Sequence, residues 1–183
     1  MLDFTIWVDL IPKIMLIIIP AYGTNAFAFL LGGKRPLDCG KNFFDGKRVF
    51  GDGKTIRGLI FGIFFGSLLG SLTTLVLNYM GLIEFNYYFF LFSFIIATGS
   101  ILGDLTGAFI KRRMGLKRGA PLPGLDQLNF ILLAAVFAYS FTLIIPITNI
   151  TLLMLAVLLV VTPIAHFISC IIAYKAGKKR EPW

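Results

Sequence analysis

Histidine occurs once in this chain of 183 residues, at position 166, and cysteine only twice, at 39 and 170. One imidazole cannot build a histidine metal cluster, and no serine–histidine–aspartate constellation can be drawn around the polar segments. His166 stands deep in an apolar run, just behind Pro163, which predicts a packing role or a hydrogen bond between helices. One cysteine falls in a polar loop and the other in an apolar run, so no structural disulfide is expected. Charge is also scarce, at 14% of residues, and only nine side chains are acidic. No internal repeat, low-complexity tract or second domain is visible.

What the chain has in excess is apolar surface. An apolar content of 57% and a mean hydropathy of +0.86 do not suit a soluble domain. A membrane span needs about 20 mostly apolar residues, and five runs reach that length: 8–31, 59–80, 88–110, 128–147 and 151–174. Each is long and nearly continuous in Leu, Ile, Phe and Val, whereas barrel strands alternate in segments of about ten residues. The expectation is an all-α integral membrane protein, a single membrane domain over 1–183 with five transmembrane helices. The first run is not expected to be a cleavable leader, because Asp3 and Asp9 stand where a signal peptide carries bases.

The net charge of +8 is not spread evenly. Seven bases lie between the first and second runs, five between the third and fourth, and four after the fifth, while the other two connections have none. Five spans put those three segments on one side, which the positive-inside rule makes cytoplasmic. The N-terminus is then outside, the C-terminus inside, and no nucleic-acid partner is implied. Function is left to two polar loops, about 32–58 and 111–127, and the helix ends beside them.

The first loop contains Asp38-Cys-Gly-Lys-Asn-Phe-Phe-Asp-Gly-Lys-Arg-Val-Phe-Gly-Asp-Gly-Lys-Thr-Ile-Arg-Gly58. Gly53-Lys54-Thr55 matches the end of a P-loop, but the first glycine that motif requires is Arg48, and no buried strand precedes it. A more general anion site survives. Gly40, Gly46, Gly51 and Gly53 permit close backbone approach, Lys41, Lys47, Arg48, Lys54 and Arg57 supply positive charge, and the start of the second helix offers free N–H groups. The competing reading is that these bases enforce topology and meet anionic headgroups. That reading suits Lys34 and Arg35; the interleaved Asp45 and Asp52 speak for a phosphorylated ligand at 45–58.

Asp104 lies about two turns inside the third run, within Gly99-Ser-Ile-Leu-Gly103-Asp104-Leu-Thr-Gly107. An ionisable group at that depth costs a few kcal/mol and normally faces a cavity, a partner or an ion. Its small neighbours make one helix face thin, as close helix packing requires. Lys111-Arg112 follow on roughly the same face, where a plain salt bridge to Asp104 is one outcome. Pro121-Leu-Pro-Gly124-Leu-Asp126 then delivers Asp126 to the start of the fourth helix, where a first-turn acid is the simple reading. Together the two carboxylates, among bases and glycines, meet the needs of a Mg²⁺-phosphate site. Asn25, after Pro20 and Gly23, reads as a polar contact between helices or a cavity wall.

In these loops the chain resembles the archaeal CDP-archaeol synthases, small integral membrane cytidylyltransferases similar to the CDP-diacylglycerol synthases. The resemblance rests on Asp45-Gly46-Lys47-Arg48, Gly51-Asp52-Gly53-Lys54-Thr55 and Gly58, then on Gly103-Asp104-Leu105, Lys111-Arg112, Lys117, Pro123-Gly124 and Asp126. It implies transfer of a cytidylyl group from CTP to an unsaturated isoprenoid glycerol ether phosphate, giving pyrophosphate and CDP-archaeol. It implies Asp104 and Asp126 as metal ligands. Lys54, Lys111 and Lys117 would screen the phosphates, and Asp45, Gly46, Lys47, Arg48, Gly51, Gly53, Thr55, Arg112 and Gly124 would form the substrate-binding surface. The wider signature's acid after the second lysine is Arg118 here, its His-Gly-Gly is missing, and its last acid is Asn129. Asn129 is therefore a neutral third candidate ligand, and one Mg²⁺ is expected. Phenylalanines 27, 29, 61, 64, 65, 89, 90, 92 and 94 would flank the isoprenoid tails or face bulk lipid. A small transporter for an anionic solute, with Asp104 as coupling group, and a non-catalytic membrane subunit are the alternative functions.

Overall fold

A computed structural model describes residues 4–177, and within them the chain forms five long helices: α1 (Phe4–Leu30), α2 (Ile56–Tyr79), α3 (Tyr88–Arg113), α4 (Leu125–Ile144) and α5 (Leu152–Lys175). All five are long and apolar enough to cross a membrane, as the hydropathy runs predict. The three basic residues 178–180, counted above in the segment after α5, lie outside the described residues. Helix starts differ from the apolar runs by up to four residues, because hydropathy cannot see the polar first turn. Thus α2 begins at Ile56, where Thr55 caps it, and α4 begins at Leu125, so Asp126 falls in its first turn.

Lipid tails are as apolar as leucine, so helices in a bilayer associate through close packing and interhelical hydrogen bonds. Small residues at four-residue spacing provide the first. Gly58, Gly62, Gly66 and Gly70 line the buried face of α2. A Cβ at Gly62 would stand 2.9 Å from the Thr24 carbonyl oxygen of α1, and one at Gly66 would collide with the Thr24 hydroxyl. On α3, Gly99 faces Phe137, Gly103 faces the backbone of Asn129 and Phe130, and Gly107 faces the Asn129 side chain. The thin face expected around Asp104 is therefore the seam that admits α4.

Polar contacts pin α3 to α1. Asn25 Nδ2 donates to Ser100 Oγ at 2.9 Å, and Ser100 Oγ donates to the Ala21 carbonyl at 2.9 Å. Each such bond is worth about 0.6–2 kcal/mol. Leu16, Ile17, Leu77, Phe92, Ile96, Ile131, Ala134, Met154 and Leu158 fill the core, while Ile60, Phe64, Leu68 and Leu72 point outward from α2.

Helix α5 is held differently along its length. Its buried residues Met154, Leu158 and Thr162 belong to the half before Pro163, where Tyr22 Oη donates to Thr162 Oγ1 at 2.9 Å. Past the proline only Cys170 is buried, and Phe167, Ile168 and Ile172 are exposed. A space thus opens between this second half and α1, beside the two polar loops.

Candidate functional site

The first loop folds back on itself before it meets α2. Leu37 N–H donates to the Lys54 carbonyl at 2.7 Å and Ile56 N–H to the Arg35 carbonyl at 3.2 Å, so its two ends run side by side. The residue organising its interior is Asp38, whose side chain is 1% exposed. It accepts hydrogen bonds from Arg48 Nη2 at 2.6 Å, Gly51 N–H at 2.8 Å, Phe50 N–H at 3.0 Å and Gly40 N–H at 3.1 Å. Burial alone would raise its pKa, but the Arg48 guanidinium and the three amides outweigh burial and hold the carboxyl well below the usual range. The same contact raises the pKa of Arg48, which also reaches Asp52 at 2.9 Å. Sequence reasoning missed Asp38, since nothing in its spacing announces a buried anion.

Asp38 thus takes the Gly51 amide, and part of the start of α2 is also committed. Thr55 Oγ1 accepts from Gly58 N–H and from Gly33 N–H, both at 3.1 Å, while Ile56 N–H bonds Arg35. Thr55 caps the helix, and the Ile56 and Gly58 amides at this end already hold bonds within the protein.

A hairpin tip spans 43–47 and is clamped by α3. Arg113 contacts Asp45 Oδ1 at 3.0 Å and the Arg48 carbonyl at 2.5 Å, and its guanidinium lies 4.7 Å from the Phe109 ring centroid and 5.0 Å from that of Phe43. Lys47 Nζ donates back to the Arg113 carbonyl at 2.6 Å. Asp45, Gly46 and Lys47 are held by the Asn42–Arg48 bridge and the Arg113 clamp, and line neither of the two cavities described below. Gly124 also stays out of the cavities; its φ of +82° makes the turn that starts α4.

The remaining expected residues do converge. A cavity of about 1180 Å³ is lined by Arg48, Gly51, Gly53, Lys54, Asp104, Lys111, Arg112, Lys117, Asp126 and Asn129, joined by Asp52 and Arg118. Six bases thus face three acids. The second loop closes over the first at its glycines, since a Cβ on Gly51 or Gly53 would stand 3.4 Å from Arg112 Nε or Arg118 Nε respectively.

Pairing within this cavity is crossed between elements. Lys54 Nζ donates to Asp104 Oδ2 at 2.5 Å, and Lys111 Nζ donates to both Asp126 oxygens at 2.9 and 2.8 Å. The same-face Asp104–Lys111 bridge considered from the sequence is replaced by these two. Asp126 also accepts from Leu122 N–H at 2.9 Å, fixing the Pro-rich turn. Asn129 lines the cavity, and its side-chain Oδ1 accepts from Phe130 N–H at 2.7 Å.

A second, more apolar pocket of about 400 Å³ lies between α1 and the second half of α5 and shares Lys54, Asp104 and Asp126 with the first. Its walls include Tyr22, Asn25, Ala26, Ile101, Phe130 and Cys170. Of the nine phenylalanines expected to flank a lipid, only Phe29 lines it; Phe89 and Phe92 are core, and Phe64, Phe90 and Phe94 point outward. His166, expected to be a packing residue, reaches both cavities, because α5 turns the face after Pro163 toward the site.

The two carboxylates also suit a divalent cation. Among the described residues no three His, Cys, Asp or Glu side chains converge, which argues against a cation caged by protein alone. Mg²⁺ bound with phosphate needs only one or two carboxylates. Each of the two here already holds a positive charge, an ammonium group that stands where a cation would neutralise it.

Comparison with known proteins points to one family. Residues 7–183 match the CarS-like CDP-archaeol synthase family. The chain is 43% identical to the CDP-archaeol synthase of Methanococcoides burtonii, covering 90% of this chain and 99% of that one. It is 48% identical to that of Methanococcus maripaludis, covering 91% and 93%. A solved structure described as an intramembrane enzyme for archaeal membrane lipids biosynthesis superposes with a TM-score of 0.73 at 34% identity, covering 85% of this chain and 90% of that one. With two crossed ion pairs in a basic cavity, five membrane helices and these likenesses, this chain belongs to the CDP-archaeol synthase family.

Proposed function

We propose that this protein transfers the cytidylyl group of CTP to the phosphate of an unsaturated isoprenoid glycerol ether, bis-geranylgeranyl glycerol phosphate, with Mg²⁺, at the cytoplasmic face of the membrane. Family membership carries the general activity, a CTP-dependent cytidylyltransferase of archaeal lipid biosynthesis. The observation that carries the site is the meeting of two chemically unlike cavities at Lys54, Asp104 and Asp126. One is basic and suits a triphosphate; the other has apolar walls and suits the glycerol end of a lipid.

The lipid phosphate is already an anionic nucleophile and needs no general base. One of its oxygens attacks the α-phosphorus of CTP, the bond from that phosphorus to the bridging oxygen breaks, and pyrophosphate leaves with the electron pair. Catalysis is then positioning and charge neutralisation. Arg48, Lys54, Lys111, Arg112 and Lys117 face the nucleotide phosphates, with Arg118 beside them, and Gly51 and Gly53 keep the wall thin enough for these arginines to approach. Asp104 and Asp126 would hold Mg²⁺, with Asn129 as a neutral third. When bound, the ion would offset charge on the phosphates.

The test is release of pyrophosphate from CTP by detergent-purified protein supplied with the ether-lipid phosphate and Mg²⁺. Release that requires the lipid supports this reading. Folded protein that releases none would return the anionic-solute transporter or the non-catalytic subunit.

A further inference from the structure

Six residues line both cavities: Phe29, Gly53, Lys54, Asp104, Asp126 and His166. Lys54, Asp104 and Asp126 come from the loops and from α3 and α4, and each is engaged in an ion pair with another element. His166 is the one contribution from α5, and it arrives from the membrane side. Thr162, one turn earlier, anchors α5 to Tyr22. From there His166, Ser169, Cys170 and Ala173 form the α5 wall of the apolar pocket, spaced as one helix face requires. Within that wall only His166 also reaches the basic cavity. Cys170 Sγ, one turn along, lies 3.6 Å from Nδ1 and 3.9 Å from Nε2, bracing the ring.

We infer that His166 binds the phosphate of the acceptor lipid, a ring N–H donating to one phosphate oxygen so that another faces the nucleotide. The inference rests on the cytidylyltransferase reading for the identity of the lipid, and the geometry gives it a separate basis. A lipid headgroup coming from between α1 and α5 meets His166 at the boundary of the two cavities. Of the loop bases only Lys54 reaches that boundary, and its ammonium group is held by Asp104, so the acceptor phosphate gains from a donor on the α5 side. An imidazole supplies one in either of its neutral tautomers, and the role requires no proton transfer.

The test compares wild type, His166→Ala and His166→Gln as full-length, detergent-purified protein. Binding of bis-geranylgeranyl glycerol phosphate is measured against binding of the same lipid with the phosphate replaced by hydroxyl, alongside CTP affinity and KM for each substrate. A hydrogen bond to a charged group sets the expected effect at about tenfold. His166→Ala should lose about that much of the preference for phosphate over hydroxyl, with a matching rise in KM for the lipid and CTP affinity within about twofold. His166→Gln, which keeps an N–H donor, should recover part of the preference. Full preference in His166→Ala, or an equal loss of CTP affinity, would overturn the inference while an active wild type kept the enzyme reading. Conversely, a wild type that prefers the phosphate but transfers nothing would overturn the enzyme reading, and loss of that preference in His166→Ala would uphold the lipid-phosphate site.

Discussion

Lys54 and Asp104 form an ion pair at 2.5 Å that ties the first polar loop to the third helix, fifty positions along the chain. Both side chains are 28% exposed, so neither is sealed from an incoming ligand. Asp104→Asn should lower kcat/KM by about a hundredfold or more, as expected when an electrostatic group at the reacting phosphates is lost. The check is pyrophosphate release beside a thermal unfolding scan; a variant with near-normal turnover would remove Asp104 from the essential set.

The second pair gives the metal prediction. Chelation of divalent ions should abolish turnover and added Mg²⁺ restore it. Asp126→Asn should shift half-maximal Mg²⁺ upward by about tenfold, because an amide holds a hard cation less well than a carboxylate. A titration of activity against Mg²⁺ reads this directly, and an unchanged midpoint would leave Asp126 only its roles with Lys111 and Leu122.

Gly103 packs against the α4 backbone, and a Cβ there would overlap Asn129 and Phe130. Gly103→Ala should therefore destabilise the protein by about 1–3 kcal/mol. Because Asp104 follows Gly103 directly and Asp126 lies one turn before Asn129, activity should fall before the fold is lost. Unfolding in mild detergent, read with activity at a temperature where the variant is folded, separates the two effects.

Asp38 predicts a dependence on pH. Its carboxyl pKa is depressed in the folded loop, so its stabilising contribution is fully present above the unfolded value of about 3.9 and is lost as pH falls toward and through the lower folded value. Protection of the Phe50 and Gly51 amides, taken relative to their intrinsic exchange rates, should be high at neutral pH and fall in acid. In Asp38→Asn, protection should be weak at neutral pH already, and the acid-induced part should vanish.

Much of the site was legible in the sequence because membrane chemistry makes charge expensive. Asp104 in a run of Ile, Leu and Gly had to have a partner or a cavity, and the structure provides both. All the bases but Lys13 lie in two loops and at the chain's end, which pointed to one face. The individual partners were not legible. Spacing put Lys111 on the Asp104 face, yet Lys111 pairs with Asp126 and Asp104 with Lys54, since the choice depends on how near α4 and the first loop come. Asp45, Gly46 and Lys47 matched a family signature as well as Arg48 did, but they are held by the Arg113 clamp and line neither cavity.

The sequence by itself determined five membrane helices, a thin small-residue face beside Asp104 and polar loops at the ends that carry the bases. These follow from local properties, namely run length, small-residue spacing and the cost of charge in hydrocarbon. Only the tertiary structure decided that Asp38 would be the buried anchor of the first loop and that His166 would stand where two cavities join. Both depend on contacts between segments far apart in the chain: Asp38 with a backbone folded over it, and His166 with the space left where α5 parts from α1.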